Sequence, residues 1–345
     1  MINKIEKLRN LTKLNAIASN ESLVTNYLKG ELEAEVSSDR LGSVVAKKGN
    51  GKNILVTAPI DEIGMIVTQV SQSGMISFQS VGPLNPKNAI NQLFSVTTKS
   101  NTFLASLAAK PIMMQSKEEL NKVDDLKSMY LDAGFTSDKQ VFESGIQIGD
   151  MITRFSPLNK LENNRYIGKA LESRSCVFVL SELMNHVNTL NVTLNGAFTV
   201  QHKMHMKGAK TSSYMTQPEL ALSLDTVEVG DNQSDGSLKL GMGPVIFFYD
   251  QGLIAHPNLR KYLVKLCQNN DIPYQEGHQL NGLTEGHYLQ LSKLGAATVS
   301  VGIPLRNKNS HQEIVDMNDL ENTYKLLKVF VESLNDKIID EILYN

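Results

Sequence analysis

The chain has 345 residues, 41% of them hydrophobic and 20% charged, with 34 Lys and Arg against 36 Asp and Glu. That length allows about two domains at roughly 150 residues each, and the composition excludes a disordered or collagen-like chain. A net charge of −2 leaves no basic surplus for a phosphate backbone, so nucleic acid is excluded as an expected partner.

The opening residues predict helix. Ile5, Leu8 and Leu11 share one face, and a second helical segment carries Leu23, Val24, Tyr27 and Leu28 behind Asn20 as N-cap. Charges spread through this N-terminus leave no apolar stretch for a signal peptide, and no apolar run approaches the roughly 20 residues that span a bilayer. Cys176 and Cys267 lie too far apart for a CxxC metal or redox spacing. The expected setting is cytoplasmic, reduced and away from membranes.

A buried parallel strand is predicted over Asn53–Ala58, ending at Pro59-Ile60-Asp61-Glu62. From about 65 to 160 the texture changes to short β-type runs (65–70, 75–78, 93–97 and 103–107) separated by Gly, Pro, Asn and Ser. This predicts a small all-β unit, 65–160, inserted into a second domain made of 1–64 and 161–345. After 165 the α/β alternation returns. Helix is predicted over 177–187 and 257–269, and strands over 197–201, 220–225 and 297–301. A C-terminal helix places Leu320, Tyr324, Leu327, Val331, Leu334 and Ile338 on one face. The expected fold is α/β, a doubly wound mixed sheet with helices on both faces, interrupted by a small β-barrel-like insert.

In such sheets ligands gather at the carboxyl ends of the strands. Asp61 follows the first strand, Gln201-His202-Lys203 the second and Asp225 the third, with Gly168-Lys169-Ala170-Leu171-Glu172 opening a helix between them. Among the remaining histidines, His278 and His287 read as surface or packing residues. Glu285 reads as a turn residue.

Several ordered segments resemble the glutamyl and deblocking aminopeptidases. They are Asp39-Arg40-Leu41-Gly42, Asp61-Glu62-Ile63-Gly64, Leu131–Gly134 with Gly145–Asp150, Gly168-Lys169-Ala170, Leu240–Pro244, Asp271–Gln275 and Ile303–Arg306. The resemblance covers nearly the whole chain. It implies a cytosolic peptide hydrolase with two metal ions, an α/β catalytic domain, an inserted β domain and assembly into tetrahedral dodecamers. It also implies where the family's site should fall. The first ligand position is Pro59, the bridging carboxylate is Glu172, the general base is His202, and the remaining ligand positions are Lys203, Asp225 and Asn309. Asp61 occupies the family's strand-end aspartate position, and His311 lies two residues beyond Asn309. By the same resemblance Glu285 reads also as part of a pocket wall.

Proline has no ligating atom, and a protonated lysine has three donors and no acceptor. Metals supply the electrophile and the hydroxide in such enzymes, so these substitutions predict a catalytically inactive pseudopeptidase with a structural, assembly or peptide-binding role and no cofactor. The competing expectation is an active aminopeptidase with a rearranged, mononuclear site. Glu172, Asp225, Asp61 and either His311 or His202 would then hold one Zn, Co or Mn ion. Lys203 stands where a ligand carboxylate would be. Its ammonium is expected to fill the site, among Asp61, Glu172 and Asp225.

Overall fold

The computed structural model describes residues 2–118, 121, 125–187, 190–231, 238–279 and 282–344. A mixed sheet runs through the larger part of the chain. Its order from one edge is Glu35–Ser38, Val44–Gly49, Thr193–Thr199, Asn53–Pro59, Leu220–Glu228, Ala297–Leu305, Val245–Asp250 and Leu253–Ile254. Gln275–His278 pairs with Val245–Asp250 off this path. The central run from Thr193–Thr199 to Ala297–Leu305 is parallel. Helices on both faces explain why these strands read as unbroken apolar runs. In Asn53–Pro59, Ile54, Val56 and Ala58 enter the large core while Leu55 enters a smaller one, which is the alternation a pleated strand imposes. Side chains from Ile2–Lys13, Ser22–Glu31, Leu171–His186, Pro257–Asn269, Met317–Ser333 and Asp336–Tyr344 fill the large core. Lys207–Thr216 and Gly286–Leu289 close the other face. The expected α/β architecture is the observed one.

The insert is a closed barrel in the order Gly64–Val70, Ile76–Val81, Tyr130–Asp132, Thr102–Ala108, Leu93–Thr97 and Met151–Arg154. Closure removes the free edges that an antiparallel sheet would otherwise expose. Ile63, Met65, Phe94, Leu107 and Ile152 give it a core of its own. The chain enters the barrel at Gly64, where a Cβ would stand 2.4 Å from the Ile152 carbonyl oxygen and 2.5 Å from Ile17 Cγ2; only glycine fits so close an approach. On leaving the barrel, Asn159–Lys160 pairs with Arg165–Gly168, which pairs in turn with Glu313–Asp316.

Four local expectations are corrected. The insert is not all-β, because it contains the helices Pro86–Ala89 and Asp138–Glu143. Asn85 Oδ1 caps the first through Lys87 N at 3.0 Å, with Pro86 at its opening position. The second N-terminal helix starts at Ser22 with Glu21 at the cap position, while Asn20 forms a bridge to Ile17. The helix expected over 177–187 begins instead at Leu171. Its polar first turn breaks the apolar period, and Glu313 Oε2 accepts the Glu172 N–H at 2.9 Å. The single C-terminal helix is two helices. Leu334 is extended at φ −74°, ψ 143°, and Asn335 Oδ1 accepts from Ile338 N at 3.0 Å to start the second.

Candidate functional site

Asp61 after strand Asn53–Pro59, Asp225 within strand Leu220–Glu228 and Glu172 in the first turn of helix Leu171–His186 are all buried near Lys203, and the tertiary fold adds buried Glu285 and Glu313. Asp61 is fully buried and accepts two backbone N–H bonds, from His202 to Oδ1 and from Lys203 to Oδ2, each at 2.8 Å. It therefore ties the end of one strand to the loop after its neighbour. Burial pushes its pKa up against the charges of His202 and Lys203. That loop is strained. Gln201, His205 and Met206, none of them glycine, have φ of 56°, 69° and 51°, a region that costs an L-residue energy unless neighbours enforce it.

Glu172 Oε1 accepts from Arg154 Nη2 at 2.6 Å, and Lys203 Nζ stands 4.0 Å from the same oxygen. Arg154 comes from the last strand of the barrel and is fully buried. Its Nη1 donates to Glu313 Oε1 at 3.2 Å and to the Ser310 carbonyl. Burial is the largest single influence on Glu172 and pushes its pKa up. Arg154, a hydrogen bond with Glu313 and Lys203 together outweigh it, so the group sits well below the usual carboxylate range. Glu313 goes the other way: burial and the Glu172 charge raise it. One proton and one guanidinium thus stabilise the adjacent carboxyls.

Asp225 Oδ1 accepts from Lys308 Nζ at 3.2 Å and from Thr226 N at 2.6 Å. Burial raises its pKa, but Lys308, His202 and Lys203 together pull it below the ordinary value. His202 Nδ1 lies 3.2 Å from Glu285 Oε1, which also accepts from Thr199 Oγ1 at 2.6 Å. Burial opposes charge on His202, but the Glu285 bond and charge prevail and raise its pKa. Glu285 is thus a turn residue at the start of Gly286–Leu289 that is also a fully buried partner of His202.

The remaining positions are placed as follows. Pro59 is buried in strand register with Thr199. Asn309 turns at φ 68°, gives its backbone N–H to Glu313 Oε1 at 2.9 Å, and leaves Oδ1 buried without a hydrogen bond. His311 packs edge-on against Phe94 of the barrel, ring centroids 4.7 Å apart, and is only 3% exposed. Burial first, then the Arg154 charge, lowers its pKa to about 3. Among the described residues, no group of three or more His, Cys, Asp or Glu is arranged to hold a metal ion. Asp61, Glu172 and Asp225 instead accept hydrogen bonds from the protein's own donors, while His311 packs on Phe94 and His202 pairs with Glu285. A divalent metal does not fit these residues as they stand. His278 and His287 pack on Phe248 and Tyr288, outside this cluster.

His311 carries a test. Its folded pKa lies below the ordinary 6.5, so the folded state binds fewer protons than the unfolded one between about 3 and 6.5. This contribution is complete above pH 6.5 and is lost as the pH falls through that window. The stability gap between wild type and His311→Leu, measured by urea denaturation, should shrink by about 2 kcal/mol from pH 7 to pH 4.5. A gap independent of pH would show that His311 is not held neutral.

Sequence reasoning missed Arg154, Lys308 and Glu313. Arg154 carried a readable signal, a charged residue closing the buried strand Met151-Ile152-Thr153. Lys308 and Glu313 carried none, since they meet their partners only through the fold.

The profile described as M42 glutamyl aminopeptidase matches residues 42–326. The lysyl aminopeptidase of Pyrococcus furiosus is 28% identical, over 90% of each chain. The crystal structure of the TET aminopeptidase from a marine-sediment Thaumarchaeota archaeon superposes with a TM-score of 0.94 at 26% identity, covering 99% of both chains. PhTET1-12s, solved as a dodecamer, has a TM-score of 0.86 at 25% identity over 96% of this chain and 99% of its own. A profile match across most of the chain and a superposition across nearly all of it place the protein in the M42 glutamyl aminopeptidase family.

Proposed function

We infer that this chain is a family member that has given up hydrolysis and acts through its assembled shell and the cleft at the strand ends, a pseudopeptidase. One observation carries the reading: the carboxylates at the strand ends are already held by Arg154, Lys308 and backbone N–H groups of the protein itself. Hydrolysis of a peptide needs an electrophile on the scissile carbonyl and an activated water. Pro59, Lys203 and Asn309 supply neither, and His202 is engaged by Glu285. The relatives named as TET peptidases include a dodecamer, and self-assembly into a comparable homo-oligomer is part of this reading. Peptide capture in the cleft is the role left to such a particle. The buried free thiols Cys176 and Cys267 suit a cytoplasmic setting.

The purified protein with added Zn²⁺, Co²⁺ or Mn²⁺ is expected to release no amino acid from unblocked peptides with acidic, basic or apolar N-termini. Chromatographic detection of free amino acid checks this. Turnover above about 1 s⁻¹ that Glu172→Ala abolishes would replace this reading with an active metal site.

A further inference from the structure

Asp61, Glu172, Asp225 and Glu313 are all at least 96% buried, since the most exposed, Asp225, is 4% exposed. Carboxylates gathered so deeply need positive charge or protons, because desolvation and mutual repulsion both penalise ionisation. The structure brings that charge from three separate elements. Arg154 arrives from the barrel strand Met151–Arg154 and bridges Glu172 and Glu313 at 2.6 and 3.2 Å. Lys308 arrives from the loop before Glu313–Asp316 and holds Asp225 at 3.2 Å. Lys203 stands in the turn His202–Met204, its stem against Gly82 of the barrel and its ammonium 4.0 Å from Glu172. Arg154 and Lys203 share Glu172 while Lys308 serves Asp225, and none alone spans the cluster.

We propose that Arg154, Lys203 and Lys308 form a built-in cation triad that completes the charge of this site and closes it to divalent metal. The triad crosses the domain boundary. Arg154 belongs to the barrel while its carboxylate partners belong to the α/β domain, so the same contact that closes the site also locks the barrel in place. This deepens the functional reading above and rests on it for the absence of metal-dependent hydrolysis. It adds a claim of its own, that removing the lysine charges reopens the site to a cation.

The experiment uses the full chain, with Mn²⁺ as the probe because it favours carboxylate oxygen. Melting temperature is measured with and without Mn²⁺, and bound metal is measured by mass spectrometry. Wild type and the charge-keeping variant Lys203→Arg/Lys308→Arg are expected to bind no Mn²⁺ and show no shift. Lys203→Glu/Lys308→Met should melt lower without metal and recover by about 3–5 °C when Mn²⁺ is well above its Kd. The single variant Lys308→Met, which keeps the Arg154 bridge, should show a smaller recovery and serves if the double variant does not fold. Stoichiometric Mn²⁺ on wild type overturns the triad. So does a pair of lysine variants that Mn²⁺ neither binds nor stabilises, while the pseudopeptidase reading survives. Mn²⁺-dependent peptide release by wild type would overturn that reading as well, so the two failures are distinct.

Discussion

Arg154→Met is expected to destabilise the protein by about 3–5 kcal/mol, the scale for removing one partner of a buried ion pair. Methionine replaces much of the volume, so the loss reads mainly the stranded charge on Glu172. Both Arg154 and Glu172 side chains are completely buried, and the bond between them is 2.6 Å. What remains near Glu172 is Lys203 at 4.0 Å, beyond hydrogen-bond distance and on a side chain 10% exposed. Lys203→Met should therefore cost less, about 1 kcal/mol. This ordering departs from the sequence reading, which made Lys203 the principal cation of the site. The structure gives Glu172 to Arg154, Asp225 to Lys308, and Asp61 to backbone N–H groups. Pairing Arg154→Met with Glu172→Met should recover much of the loss, because an apolar pair of similar size leaves no charge uncompensated. Guanidinium denaturation of the single and double variants reads this directly. A single-variant cost below about 1 kcal/mol would show that the bridge does not brace the site.

The second large effect is expected at Glu62, in the segment that joins strand Asn53–Pro59 to the barrel. Glu62 Oε1 accepts from Lys169 Nζ at 2.6 Å and from Ala16 N at 3.4 Å, with Arg174 Nη2 at 3.5 Å. Lys169 and Arg174 are 5% and 0% exposed, and Arg174 also donates to the carbonyls of Leu11, Leu14 and Ile60. Glu62 is thus the anion that lets helix Leu171–His186 dock on the N-terminal helix through charged groups. Glu62→Gln keeps the shape but strands two buried cations, and the expected loss is about 3–5 kcal/mol at neutral pH. It has a pH signature. Burial, the largest influence, already lowers the Lys169 pKa from 10.5 despite the Glu62 charge. A base with a lowered folded pKa binds fewer protons folded than unfolded, so its cost is greatest at low pH and lifts as the pH rises towards 10.5. Without Glu62 the pKa falls further, and Lys169 can shed its proton. The penalty of Glu62→Gln should therefore shrink between pH 7 and pH 9.5. A penalty that stays constant over that range would mean that Lys169 is not carrying stranded charge.

Much of this protein was legible from its residues in order. Alternation of apolar runs with helical periods predicts the α/β sheet, and the switch to short runs between Gly, Pro and Asn predicts the barrel, because side-chain parity and turn chemistry are local properties. Local reading failed where a distant group supplied the missing partner. The early start of helix Leu171–His186 depends on Glu313 accepting the Glu172 N–H, and the break at Leu334 depends on a cap competing with an apolar stripe that runs straight through it. At the site, the residue types at Pro59, His202, Lys203 and Asn309 carry the expectation that no metal cage forms, since ligand chemistry belongs to the side chain. Which cation holds which carboxylate was not legible there. Arg154 of the barrel and Glu172 of helix Leu171–His186, 18 residues apart, meet only in the fold, and Lys308, from the loop after strand Ala297–Leu305, meets Asp225 of the neighbouring strand Leu220–Glu228, 83 residues away. Coulomb energy depends on distance in space and on the water excluded between the charges, and both quantities exist only once the chain has folded.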